Sequence, residues 1–412
     1  MIFFGRKEKG NFMAGIAFLA IILVGSYFAI FDNGRARKAA EPEPERIPVD
    51  LNAVLTNEMS VLDSLDADIE AYMKAWELNG AELAIMRNDS LLYARGYGFA
   101  GADSLAPGAA SSCEQVRPGT LMRLASVSKL LTATGIMILC ERDSISLSSH
   151  VFGPDGILSE LEVREPGYHD ITVWHLLTHS SGLSCRAGGD PLFPGVYVGS
   201  RETVLKSLRR RLAFRPGEGS EYSNLGYLLL SMIIEKVSGQ SYEDWMQENV
   251  LHPACCRGFH IGGNTPEARL PGESFYGRYS VNNLRLLSGA GAWVASAPEL
   301  ARFVASIDGR PGVPDIISEQ SVQDMTFPTD SVTYAIGWND IKPSGEWTRT
   351  GTLSSTTALV KYYPDGECWI FISNCGTWKG PRFSRYTSSL FRRLRERYSA
   401  SLPHRDLFWE QP

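Results

Sequence analysis

The chain has 412 residues, with 40 Lys and Arg against 46 Asp and Glu and a formal net charge of −6. Its 44% hydrophobic and 21% charged residues are the proportions of a globular protein and exclude a disordered or collagen-like chain. The mild acidity argues against a nucleic-acid partner, and seven scattered cysteines with no C-x-x-C pair make no disulfide framework.

After a short tail, 1–12, residues 13–31 form a run of 19 without a charge. As a helix rising ~1.5 Å per residue, such a run approaches the ~30 Å hydrocarbon core of a bilayer. Arg6, Lys7 and Lys9 precede it, and Arg35, Arg37 and Lys38 follow it. Because the two flanks are equally basic, the positive-inside rule does not fix the orientation. The run exceeds a usual signal-peptide core and no A-x-A site follows, so an uncleaved single-pass anchor is expected, with a cleaved signal peptide as the alternative. Residues 32–55, with Glu41-Pro42-Glu43-Pro44-Glu45, read as a flexible linker.

Beyond it the pattern becomes globular, and a folded domain is expected over 56–400, followed by a tail, 401–412. Leu62, Leu65, Ile69, Met73 and Trp76 recur at three- and four-residue steps, which predicts a helix over 60–76. Strands are predicted at 82–85 and 91–95 around an Asn88-Asp89 turn. Helical periodicity dominates 120–250. Strands return at 357–363 and 368–373, joined by a Pro364-Asp365-Gly366 turn, and a helix is predicted over 382–398 with Arg392, Arg393, Arg395 and Arg397 on its solvated face. Strands at both ends and helices between them predict an α+β fold: an antiparallel sheet flanked by helices, with an inserted all-α lobe, preceded by one N-terminal transmembrane helix.

Several motifs do not lead to a function. Gly96-Tyr97-Gly98-Phe99-Ala100-Gly101 matches G-x-G-x-x-G, but a loop follows where a dinucleotide site needs a helix, so the stretch reads as a glycine-rich strand exit. No G-x-S-x-G nucleophile elbow occurs. His175 and His179 have the spacing of two zinc ligands, yet Leu-Leu-Thr lies between them and no glutamate accompanies them. No metal or cofactor is expected.

Ser126-Val127-Ser128-Lys129 fits S-x-x-K at the start of a mostly apolar helix. Positions i and i+3 share a helix face, which sets the Lys129 ammonium beside the Ser126 hydroxyl. Apolar surroundings lower a lysine pKa and let it share proton traffic with a nucleophile. Alone the motif recurs by chance, with Ser126 as a plain helix cap. Tyr222-Ser223-Asn224 stands in a loop just before another apolar helix. A phenol beside Lys129 can be held as phenolate and take the serine proton, while Asn224 can orient Lys129 or a substrate carbonyl. Arg349-Thr350-Gly351-Thr352 enters the late hairpin, where a glycine permits close backbone approach. The Thr352 and Ser126 N–H groups are candidate oxyanion donors.

These three motifs, in this order, resemble the serine β-lactamase and penicillin-binding protein superfamily, in its class C β-lactamase, DD-peptidase and esterase branch. The resemblance covers 58–398 and extends to His175-Leu176-Leu177-Thr178-His179-Ser180-Ser181-Gly182-Leu183, Gly289-Ala290-Gly291-Ala292-Trp293-Val294-Ala295-Ser296 and Leu300-Ala301-Arg302-Phe303. It implies an acyl-enzyme on Ser126, catalytic Ser126, Lys129 and Tyr222, substrate contacts from Asn224, Arg349, Thr350, Gly351 and Thr352, and a periplasmic or other extracytoplasmic location. Arg349 departs from the usual Lys or His. It keeps the charge but not the capacity to give up a proton. A substrate-facing guanidinium that grips a carboxylate is expected there, with pairing to an acidic side chain as the alternative.

The expected protein is a membrane-anchored serine hydrolase acting on a small-molecule or peptide amide, ester or β-lactam. The rival is a penicillin-binding-like sensor or binding module with little turnover.

Overall fold

The computed structural model describes residues 47–101, 114–183, 189–193, 199–276, 283–327, 334–376 and 383–409. The uncharged run 13–31 lies outside them. No helix among the described residues is long and apolar enough to cross a membrane.

The main sheet is built from both ends of the unit that begins at Pro48. Strands β1 (Gly80–Arg87) and β2 (Ser90–Gly98) form the first hairpin. Its turn residues Asn88 (φ 48°) and Asp89 (φ 62°) are both left-handed, the backbone that matches the twist of a two-residue hairpin. Three short strands, β3 (Met122–Arg123), β4 (His260–Ile261) and β5 (Trp293–Ala295), make a separate sheet in the order β3-β5-β4. The chain then returns through β6 (Asp340–Ile341), β7 (Trp347–Leu353), β8 (Thr356–Tyr362) and β9 (Glu367–Ser373). The six-stranded order is β2-β1-β9-β8-β7-β6, antiparallel throughout, with Leu83 opposite Phe371 where first hairpin meets last strand.

Alternation along the strands sorts two apolar faces. Ala81, Leu83, Ile85, Trp369 and Phe371 share a core with Leu65, Ile69 and Met73 of helix α1 (Asp63–Trp76) and with Leu390, Phe391 and Leu394 of the last helix. Ala84, Met86, Ala358, Val360 and Ile370 face the helical lobe. That lobe centres on α2 (Ser128–Glu141), buried on every side from Ser128 to Leu139, which is why its sequence is apolar all round. Helix α3 (Asn224–Ser238) packs beside it, started by the Ser223 hydroxyl accepting the Gly226 N–H and stopped at Gly239 (φ 72°). Helix α4 (Ala297–Ala305) lies against β1 and β9, and α5 (Phe383–Tyr398) closes the outer face. On α5, Arg392 and Arg393 are exposed, whereas Arg395 pairs with Asp365 and Arg397 with Asp68.

The folded body is longer at both ends than expected. Residues 51–54 form a helical turn, Leu51 and Leu55 are buried, and the Val49 N–H donates to the Phe408 carbonyl at 3.2 Å. Leu402, Leu407 and Phe408 are buried as well. The Arg302 guanidinium, itself buried, explains this: it donates to the Val49 carbonyl at 3.0 Å and the Phe408 carbonyl at 2.6 Å, tying both ends together. The last residues of the expected linker and most of the expected tail are therefore packed structure.

The stretch 96–101 is a strand exit in this fold. Gly98 (φ 68°) ends β2, and a Cβ on Gly96 would meet the Val116 carbonyl oxygen at 2.4 Å.

Candidate active site

Ser126 sits in a single 3-10 turn, Ala125–Val127, that leads directly into α2. The residue before it, Ala125, has φ 47°, a left-handed conformation that costs a non-glycine residue of order 1 kcal/mol or more. Strand β7 presses against this turn. A Cβ on Gly351 would meet the Leu124 carbonyl oxygen at 2.4 Å and the Ser126 nitrogen at 3.0 Å. Gly351 is thus the residue that lets the strand approach the serine backbone.

Lys129, the second residue of α2, is fully buried. Its ammonium donates to Asn224 Oδ1 at 2.7 Å, to the Ala290 carbonyl at 2.6 Å and to Ser126 Oγ at 3.3 Å. Burial lowers its pKa from 10.5 to about 8, with the Arg349 cation adding to the fall and Tyr222 opposing it. That displacement is worth about 3 kcal/mol in favour of the neutral amine. The Tyr222 hydroxyl donates to Ser126 Oγ at 2.8 Å. Burial pushes this phenol up, but the Lys129 and Arg349 cations outweigh it and hold the group below its ordinary value. The serine oxygen therefore lies between two groups that both give up their protons more readily than usual, the arrangement a proton shuttle needs.

Arg349 is where the expectation fails. The side chain is fully buried, and Nε and Nη2 donate to the Ser126 backbone carbonyl at 2.8 and 2.6 Å. Nη2 also reaches the Tyr222 oxygen at 3.4 Å. The guanidinium is not a free fork for a substrate carboxylate, and among the described residues it is not half of an ion pair. Alternation along β7 turns residues 349, 351 and 353 toward the serine turn, and the closeness allowed by Gly351 puts a carbonyl within reach. Among the described residues Nη1 has no hydrogen-bond partner.

The neighbouring positions lie along the strand edge. The Thr350 N–H and hydroxyl donate to Asn339 Oδ1 at 2.6 and 3.1 Å, so the Thr350 backbone points away from β8. The same parity directs the Thr352 N–H along that outer edge, beside the Ser126 turn, where Thr352 is exposed.

All three motifs thus converge on Ser126. Four further contributors lie outside those motifs. Asp190 Oδ2 accepts from Asn224 Nδ2 at 2.6 Å, and the Ala290 carbonyl holds Lys129. Asn339 fixes Thr350. His179 stacks on Tyr222 with ring centroids 4.5 Å apart, and its Nδ1 accepts the Ser223 N–H at 3.1 Å. Burial, then the Lys129 and Arg349 cations, push the His179 pKa far down, so it stays neutral. His175 turns elsewhere and caps the helix Val173–Leu177 by accepting the Thr172 N–H at 3.1 Å. The two histidines share no ligand site, and among the described residues no group of three or more His, Cys, Asp or Glu could hold a metal.

A serine flanked by a desolvated lysine and a cation-flanked tyrosine, on an α+β fold, is the equipment of a serine hydrolase. The chain belongs to the Beta-lactamase family, whose model matches residues 65–373. It is a serine hydrolase of the group that includes β-lactamases and penicillin-binding proteins. Penicillin-binding protein 4* of Bacillus subtilis (strain 168) is 30% identical over 191 residues, 43% of this chain and 37% of that protein. A second protein of that strain, PbpX, assigned provisionally to the penicillin-binding proteins, is 26% identical over 312 residues, 74% of this chain and 72% of its own length. The fold is shared with D-amino acid amidase from Ochrobactrum anthropi SV3 (TM-score 0.65, 18% identity, covering 82% of this chain and 99% of that one). It is also shared with an octameric penicillin-binding protein homologue from Pyrococcus abyssi (TM-score 0.64, 22% identity, covering 80% and 78%).

Proposed function

We propose that Ser126 is the nucleophile and that the protein hydrolyses an amide, ester or β-lactam carbonyl through an acyl-enzyme. The observation that carries this is the pair of contacts on Ser126 Oγ, Tyr222 at 2.8 Å and Lys129 at 3.3 Å. As Oγ attacks the carbonyl carbon, Tyr222 in its phenolate form takes the hydroxyl proton. Lys129 keeps the phenolate charged. The tetrahedral oxyanion sits against the N–H groups of Ser126 and Thr352. Collapse expels the amine or alcohol, which takes the proton back from Tyr222. Water then attacks the acyl carbon, gives its proton to the same phenolate, and Ser126 leaves with that proton as the acid is released. Asn224, Thr350 and Thr352 border the position the substrate occupies, and Arg349 acts on Ser126 and Tyr222 from behind.

Turnover of a neutral activated ester tests this. Ser126→Ala should lose essentially all steady-state hydrolysis while keeping the wild-type melting temperature, and an undiminished rate would refute the assignment.

We further propose that residues 13–31 anchor the chain in the cell membrane with the catalytic domain on the extracytoplasmic side. Support comes from the length of the uncharged run and the charged, proline-broken spacer after it. Protease added to sealed spheroplasts should digest the domain, whereas protection would reverse the topology.

A further inference from the structure

Asp190 is remote in sequence from all three motifs. Its Oδ2 accepts from Asn224 Nδ2 at 2.6 Å, and its Oδ1 accepts the Leu192 N–H at 3.0 Å. Asn224 in turn offers Oδ1 to the Lys129 ammonium at 2.7 Å. A primary amide has a donor end and an acceptor end, and only one orientation suits these two neighbours. Flipped, Asn224 would present its NH2 to an ammonium and its carbonyl to a carboxylate, two repulsive contacts in place of two charge-assisted bonds.

We propose that Asp190 is a positioning residue for acylation: acting through Asn224, it fixes the acceptor that holds the Lys129 ammonium beside Ser126 and lends that ammonium a compensating negative charge. This rests on the reading of Ser126, Lys129 and Tyr222 as the acylating group. Lys129 is otherwise faced by the Tyr222 ring at 4.8 Å, the Tyr227 ring at 5.3 Å, the neutral His179, the Ala290 carbonyl and the Arg349 cation. Within that set Asp190 opposes the repulsion from Arg349. Loss of its charge makes both Lys129 and Tyr222 give up protons at lower pH, because a nearby anion favours the protonated form of each.

Two variants separate geometry from charge. Asp190→Asn keeps an oxygen that accepts from Asn224 Nδ2 but carries no charge. Asp190→Ala removes both. The pH profile of kcat/KM is measured for the full-length protein with a neutral activated ester. Both limbs should move to lower pH in both variants, by about half a unit or more for charges one side chain apart. Asp190→Ala should also lose about ten- to a hundred-fold at its optimum, the cost of a misplaced catalytic group, whereas Asp190→Asn should stay near the wild type. A purely structural role would change the amount of active protein and leave the limbs in place. Unmoved limbs, an Asp190→Ala as fast as the wild type, or an Asp190→Asn as slow as Asp190→Ala would each overturn the proposal. Fluorophosphonate labelling of the wild type keeps the two levels apart. No label on Ser126 means that the acylation reading has failed, while a labelled Ser126 with unmoved limbs discards only the role of Asp190.

Discussion

Tyr222 and Tyr362 are both tyrosines set against the helical face of the main sheet, and the protein drives them in opposite directions. Tyr222 stands beside Lys129 and Arg349, and its phenol is held below its ordinary value although burial works against that. Tyr362 donates to Asp308 Oδ2 at 2.7 Å, and burial and this carboxylate together push its phenol far up, although Arg310 lies 2.7 Å away. Around Tyr362 the acids respond as well. Burial and then the Asp89 charge raise the Asp308 carboxyl from 3.8 to about 8. Desolvation disfavours charge in both places, so the sign of the nearest fixed charges decides whether a phenol becomes a base or an inert donor. The site is the place where buried cations outnumber anions, and the far cluster is the place where carboxylates hold on to their protons.

Removing the cation nearest Tyr222 should do most to break this contrast. Lys129→Met replaces a buried ammonium by an apolar chain of similar length. It should slow acylation of an activated ester by about a hundred- to ten-thousand-fold, as loss of acid–base help does. Rapid-mixing measurement of ester cleavage gives the number, and a loss under tenfold would remove Lys129 from the proton path.

Arg349→Ala comes next. Because the guanidinium holds the Ser126 carbonyl and faces Tyr222, the loss should be about ten- to a hundred-fold, the worth of a hydrogen bond from a charged group. It should fall equally on neutral and carboxylate-bearing esters. A loss confined to carboxylate-bearing substrates would restore Arg349 as a substrate anchor.

Asp308→Asn sharpens the other half and should have the smallest effect. An unfolded aspartate releases its proton near pH ~4, but the folded chain keeps it to about pH 8. The folded state binds the extra proton between these limits, so its stability is full below the lower one and declines as pH rises toward the upper one. Asparagine does not titrate. Urea unfolding at pH 5 and pH 9 should show a decline in the wild type that is largely absent from Asp308→Asn. Parallel declines would mean that Asp308 is ionised throughout.

Features governed by local geometry were legible in the sequence. The Asn88-Asp89 turn, the apolar stripe of α1, the final helix and both hairpins depend on neighbours a few residues apart. Ser126 and Lys129 were legible for the same reason, and Tyr222 and Asn224 because Ser223 caps the helix they introduce. Arg349 was read correctly as a cation at the site and wrongly as substrate-facing, because its partner is a backbone carbonyl, and carbonyls leave no mark in a sequence. The Ala290 carbonyl on Lys129 escaped in the same way. Asp190 meets Asn224 across 34 positions from an irregular loop with no periodicity to give it away. The chain ends were misjudged because Arg302, 253 positions from Val49, ties them to the body.

The central claim is that Ser126 becomes acylated. Full-length protein should be mixed briefly with an activated ester, quenched in acid, weighed intact and digested for peptide mapping. The account predicts one acyl group per chain, carried on the peptide that holds Ser126, absent from Ser126→Ala and decaying as product forms. An acyl group mapped to another residue, or product release with Ser126 never modified, would contradict it.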